Sequence, residues 1–130
     1  MKQIIYTLLA GTVLVFSGCG KDDDDNATPS GSREREVEYR VTSPTSGAKM
    51  NILYTNETGG FTDLKNVELP KTYKFKRTLK VGDAVNFLAQ LQGAGSSSEI
   101  TGTILLDGTQ VKTETGRGNS AQVNIVYVIQ

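Results

Sequence analysis

Histidine and tryptophan are absent from this 130-residue sequence, and cysteine occurs once. The missing histidine removes the commonest general base and the commonest metal ligand. A single cysteine removes disulfide frameworks, four-cysteine zinc clusters and redox pairs. Fourteen Lys and Arg balance fourteen Asp and Glu, which leaves no whole-chain electrostatic reason to bind nucleic acid, although charge is uneven along the chain. The length allows one domain and hardly a second.

What is present divides into residues 1–18, 19–36 and 37–130. Lys2 is followed by an apolar stretch from Ile4 to Phe16, broken only by Thr7, Gly11 and Thr12, and then by Ser17, Gly18 and Cys19. A charge, a short apolar run and small residues form an export signal. As a helix the run would span about 20 Å, short of the roughly 30 Å hydrocarbon layer, so a permanent membrane span is the poorer reading. Cys19 after two small residues resembles a bacterial lipoprotein signal, with Phe16 where Leu is usual. That resemblance implies that Cys19 becomes a lipidated N-terminus holding the chain to a membrane. Two or more acyl chains anchor stably where one does not.

Gly20 to Glu36 holds four consecutive acids, then Asn, Thr, Pro, Ser and Gly, then Arg33, Glu34, Arg35 and Glu36. Apolar residues are nearly absent, so nothing offsets the entropy of ordering this stretch, and it is expected to be a flexible tether reaching roughly 20 to 25 Å. The adjacent carboxylates Asp22, Asp23, Asp24 and Asp25 lack the spaced ligands and turning glycine of a calcium loop, so solvated charge is the better reading. Cys19, Gly20 and Lys21 followed by that acidic run resembles the sorting tag that sends lipoproteins of Bacteroidota-type bacteria to the outside of the outer membrane. An outer-membrane lipoprotein facing the exterior is what the resemblance implies.

From Val37 onward the chain alternates with period two, which sends one face of each segment into a core. Val37, Tyr39 and Val41 form one such face, and Met50, Ile52 and Tyr54 form another after the turn cluster from Ser43 to Gly47. Tyr73, Phe75 and Leu79 follow, then Val85, Phe87, Ala89 and Leu91, a flexible loop from Gly93 to Ser98, and Ile100, Ile104 and Leu106. Asp107-Gly108 is a strong hairpin cue. The last segment carries Val123, Ile125, Tyr127 and Ile129 on one face and Val126 and Val128 on the other, which predicts a central strand or one covered on both sides. Seven or eight short strands and no helical periodicity predict an all-β, antiparallel β-sandwich of immunoglobulin-like architecture, with a small barrel as the alternative. Its expected core includes Val41, Ile52, Phe75, Phe87, Ile104 and Ile125.

Val37-Glu38-Tyr39-Arg40-Val41, Asn51-Ile52-Leu53-Tyr54, Leu69-Pro70, Asn86-Phe87-Leu88-Ala89-Gln90 and Leu106-Asp107-Gly108 stand in an order and spacing that resembles the MmpS family. The resemblance implies a membrane-anchored β-sandwich that assists RND-type exporters at a cell envelope. Lys71 stands where members of that family tend to carry Trp, and Gly102 and Val126 lie near the positions of a cysteine pair in mycobacterial members.

The most basic stretch is Lys71, Lys74, Lys76, Arg77 and Lys80, interleaved with Tyr73 and Phe75. Alternation sets the aromatics opposite Lys74 and Lys76, so they belong to the core rather than to a stacking platform for bases, and no nucleic-acid partner is expected. If the cations hold a ligand, it is a polyanion such as a phosphorylated glycan or lipopolysaccharide. The candidate carboxylates Glu57, Asp63, Asp83, Glu99, Asp107 and Glu114 are expected mostly in turns, and no Ser or Thr has a histidine to activate it. Gly93 to Ser98 lacks the Lys-Ser/Thr ending of a phosphate loop. The expectation is a non-catalytic module without cofactor or metal: a surface binding domain, or an accessory subunit of an envelope exporter.

Overall fold

Alternating burial runs through almost every segment that the sequence marks as extended, and it builds eight strands. The computed structural model describes residues 31–130. In chain order the strands are β1 (Arg33–Thr42), β2 (Lys49–Thr55), β3 (Phe61–Glu68), β4 (Lys71–Leu79), β5 (Ala84–Leu91), β6 (Glu99–Leu106), β7 (Thr109–Arg117) and β8 (Gln122–Val128). They form two four-stranded antiparallel sheets, sheet I in the order β4-β1-β6-β7 and sheet II in the order β3-β2-β5-β8. Residues 31–130 therefore form an all-β sandwich. In an immunoglobulin constant domain the second and third strands lie in opposite sheets, whereas β2 and β3 here form a hairpin within sheet II. The sandwich is as expected, and the strand order is its own.

Val41, Ile52, Phe87, Ile104 and Ile125 are at most 1% exposed, as expected of core residues. Phe75 is only partly buried, a correction that follows from its place on β4, the edge of sheet I. Its ring packs edge-on to Tyr39 at 5.6 Å, and Tyr54 stacks on neighbouring Tyr73 at 4.7 Å. The buried Tyr39 hydroxyl links the sheets, lying 2.7 Å from Thr55 Oγ1 and donating to the Thr55 carbonyl at 3.0 Å. Thr55 Oγ1 also accepts the Asn86 N–H at 3.0 Å. The hydroxyl thereby supplies an acceptor just beyond Tyr54–Phe87, the last register pair of β2 and β5.

Three boundaries differ from expectation. β1 begins at Arg33, not Val37, because Arg33 to Glu36 pair along β4 from Leu79 to Lys76. That stretch has no apolar face, so hydrophobic periodicity could not reveal it. β3 carries no clear alternation, since its register slips between Met50 and Ile52 of β2, and Asn66 adopts φ 56° there. This β-bulge breaks the period between inward Leu64 and Val67. β8 is the edge of sheet II, not a central strand, and Val126 and Val128 on its outer face are 45% and 49% exposed.

Antiparallel connectivity fixes which loops share an end. The segments 43–48, 69–70, 92–98 and 118–121 close one end, whereas 56–60, 80–83 and 107–108 close the other. Residues 31–32 and 129–130 emerge at that second end. Asp107 and Gly108, at φ 50° and 79°, make the expected hairpin with both central residues left-handed. At the β7–β8 side the sheets nearly touch: a Cβ on Gly116 would stand 1.9 Å from the Gln122 carbonyl oxygen.

Candidate functional site

The end opposite residues 31–32 and 129–130 holds a cleft of about 380 Å³ between the β1–β2 and β5–β6 loops. Its walls are Thr45, Ser46, Gly47, Lys49, Gln92, Gly93 and Ser98, with Ala48 and Leu91 behind them. Gly47 and Gly93 take φ 68° and 62°, a conformation that side chains disfavour, and so let both loops turn over the cleft.

Hydrogen bonds hold these loops as one unit. Gln92 N–H donates to the Lys49 carbonyl at 2.7 Å, and Ser43 Oγ donates to the Glu99 carbonyl at 2.7 Å, tying the two walls. Leu69 N–H donates to the Ala48 carbonyl at 2.9 Å, and Gly118 N–H to the Ser98 carbonyl at 2.9 Å, which adds the remaining two loops. The stretch expected to be a flexible loop contains a closed turn, with Ser98 N–H on the Gly95 carbonyl at 3.0 Å and Ser98 Oγ accepting the Gly95 N–H at 2.8 Å. A cleft tied in this way is pre-organised, so a ligand need not pay to order it.

The cleft offers hydroxyls, an amide, peptide edges and one cation, and neither a carboxylate nor an aromatic platform. The chemistry of these walls is that of hydrogen-bond donors and acceptors with a single positive charge. Elsewhere, burial pushes the Tyr39 hydroxyl up, against the lowering effect of its Thr55 hydrogen bond, and burial pushes the Tyr73 hydroxyl up as well. Both phenols therefore stay protonated.

The five basic residues of β4 and its end do not converge. Lys74 and Lys76 face outward from sheet I and are paired with Glu36 at 3.0 Å and Glu34 at 3.1 Å. The Glu36 hydrogen bond raises the Lys74 pKa, with its charge adding to the effect. Arg77 turns toward the other sheet, where Nη1 donates to the Ala84 carbonyl at 3.3 Å. Lys71 lies over the Tyr73 ring at 5.8 Å, near the cleft end of the strand. Lys80 lies in the opposite turn, its N–H donating to the Asp83 carboxylate at 3.1 Å. The acids Glu34 and Glu36, assigned to the tether, thus meet the basic strand as part of β1.

Of the candidate carboxylates, Glu57, Asp83 and Asp107 lie in turns, but Asp63, Glu99 and Glu114 lie on strands, which corrects the expectation that most are turn residues. Asp63 and Glu99 pair with Lys65 and Arg117 at 2.8 and 2.7 Å. Asp107 accepts the Glu36 N–H at 2.9 Å and pairs with Arg35. That backbone bond is the leading cause that lowers the Asp107 pKa. Among the described residues no three His, Cys, Asp or Glu side chains gather into a metal site. Cys19, Lys21 and Asp22 to Asp25 lie outside the described residues.

The cleft was not read as a site from sequence. Ser43 to Gly47 and Gly93 to Ser98 are visible there only as turn formers, and it takes the crossing of β1 to β2 and β5 to β6 between sheets to bring them together. No family model and no curated protein matches the chain.

Proposed function

We propose that this protein is a lipid-anchored, non-catalytic binding module at the bacterial outer membrane, held by Cys19, turned outward by the Lys21 to Asp25 tag, and working through the cleft at its far end. The observation that carries this reading is chain polarity: the strand that continues from the tether starts at one end of the sandwich, and the cleft opens at the other. A module tethered by its N-terminus thereby offers the cleft to whatever lies beyond the membrane. The ligand chemistry that fits is a polar envelope or surface molecule, a glycan or a protein loop, recognised by hydrogen bonds. An accessory role beside an RND-type exporter, as the MmpS resemblance implies, differs in the partner that occupies the domain. Finding an exporter gene beside the one for this protein would favour that role.

Cys19→Ala should release the protein from membranes, and retention of the variant in the membrane fraction at high salt without a processing block contradicts the anchor. Replacing Asp22 to Asp25 by Ser should leave a lipidated protein that protease no longer reaches on intact cells. Equal digestion of wild type and variant contradicts the tag, and protection of both contradicts surface display.

A further inference from the structure

Among the described residues, five of the six exposed large hydrophobic side chains, Leu53, Phe61, Leu88, Val126 and Val128, lie on the outer face of sheet II, and the sixth, Val81, is in a turn. Register makes them neighbours. Leu53 stands opposite Leu88, and Val126 stands opposite Asn86, one outward step from Leu88. Phe61 lies two residues before Asp63, the register partner of Leu53, and so on the same side of β3. The result is an apolar arc from β8 across β5 and β2 to β3.

The charges on this face are confined to its β2–β3 half. There Lys49 stands opposite Glu68, and Asp63 is paired with Lys65, so the acids and bases cancel. None of the outward residues of β5 and β8 is charged: beside the aliphatic side chains and Ala84 they are the amides Asn86, Gln90, Gln122 and Asn124. Globular surfaces ordinarily carry roughly a quarter to a third charged residues. A face without net charge has no attraction for an anionic lipid surface. Nor does it repel a copy of itself, and each amide both donates and accepts, so like can pair with like.

We propose that the outer face of sheet II is a self-association surface, on which a second copy of this chain packs sheet against sheet about a two-fold axis. Such an interface is isologous, each residue meeting its counterpart across the axis. Four strands roughly 4.8 Å apart and seven residues long give a face of roughly 450 Å² per copy. Two such faces fall just below the roughly 1,000 to 1,200 Å² of a stable complex, so the dimer is transient in dilute solution. Tethering copies in one membrane raises their effective concentration and favours pairing. Edge-to-edge extension through β8 is the poorer geometry, because β7 approaches that edge and Lys112 Nζ donates to the Val126 carbonyl at 3.1 Å. The choice of this face is independent of the anchor, whereas a populated dimer rests on the lipid-anchored reading proposed above.

Single cysteines at Leu88 and Val126, in full-length protein in isolated membranes, should give on mild oxidation a disulfide-linked product of twice the monomer mass. Cysteine at Thr115, on the outer face of sheet I, should not. Wild type is the control for Cys19: a cross-link there reports a free thiol, so failure of the anchor is read separately. Leu53→Lys in the Leu88→Cys background should lower the dimer yield at least tenfold while the domain keeps its resistance to protease. No dimer from Leu88→Cys or Val126→Cys, a product with a different protein, or equal yield from Thr115→Cys each overturns the proposal.

Discussion

On the outer face of sheet I, Lys74 and Lys76 meet Glu36 and Glu34, Arg40 meets Glu38, and Arg117 meets Glu99. Between them, the hydroxyls of Thr101 and Thr115 and of Thr103 and Thr113 pair at 2.9 and 3.0 Å. Every strand of that face finds polar partners within the face. On the outer face of sheet II, β5 and β8 carry aliphatic and amide side chains without one charge. The two sheets share one core and the same strand count, so folding alone does not ask for this difference. Satisfied charge keeps a face in water, whereas an uncharged apolar arc marks a face that has use for a partner.

The strongest way to break the comparison removes the core on which both faces stand. Phe87 is fully buried, and Phe87→Ala should lower stability by about 3 to 5 kcal/mol, read as a shift of the denaturant midpoint, with both faces lost together. Gly116→Ala should be next. Its Cβ would meet the Gln122 backbone at 1.9 Å, so the β7–β8 side must spread, at about 1 to 3 kcal/mol. Exchange of the β8 amides should rise more than that of β1.

The sheet I side is sharpened by pH. Asp107 holds a pKa below the ordinary value of an aspartate, chiefly because its carboxylate accepts the Glu36 N–H. A carboxyl depressed in the fold contributes stability above its unfolded pKa and loses it as pH falls through the folded pKa. Asp107→Asn should therefore lower the unfolding midpoint at pH 7 and leave it nearly unchanged at the acid extreme; an equal loss at both contradicts this. The smallest effect is expected at Lys74, whose raised pKa means a contribution present below 10.5 and lost as pH rises through the folded value. Its ion pair is solvent-exposed and contributes little. Lys74→Met should leave the neutral-pH midpoint within error, and a clear loss would give the sheet I pairs a structural weight denied here.

The strands with a strict apolar period, β2, β5 and β8, are legible in the sequence because one face is buried throughout. β3 is not legible, since the Asn66 bulge shifts its period, and the start of β1 is not, since Glu34 and Glu36 are held by charge rather than burial. Val126 and Val128 show that a second apolar face signals covering without saying by what: the fold leaves β8 at an edge. The cleft is less legible still, because Lys49 and Gln92 meet only through strand order. The basic residues of β4 show the converse, a cluster in sequence that alternation and pairing separate in space.

The most direct measurement is the rate at which a membrane-impermeant maleimide labels single cysteines in intact cells, at Ser46 beside the cleft, Thr115 on sheet I and Val126 on sheet II. Rapid labelling of Ser46→Cys and Thr115→Cys is expected without permeabilisation, together with at least tenfold slower labelling of Val126→Cys that Leu53→Lys restores. Labelling of Ser46→Cys only after the outer membrane is opened, or of Val126→Cys as fast as Thr115→Cys, would contradict outward display and pairing, respectively.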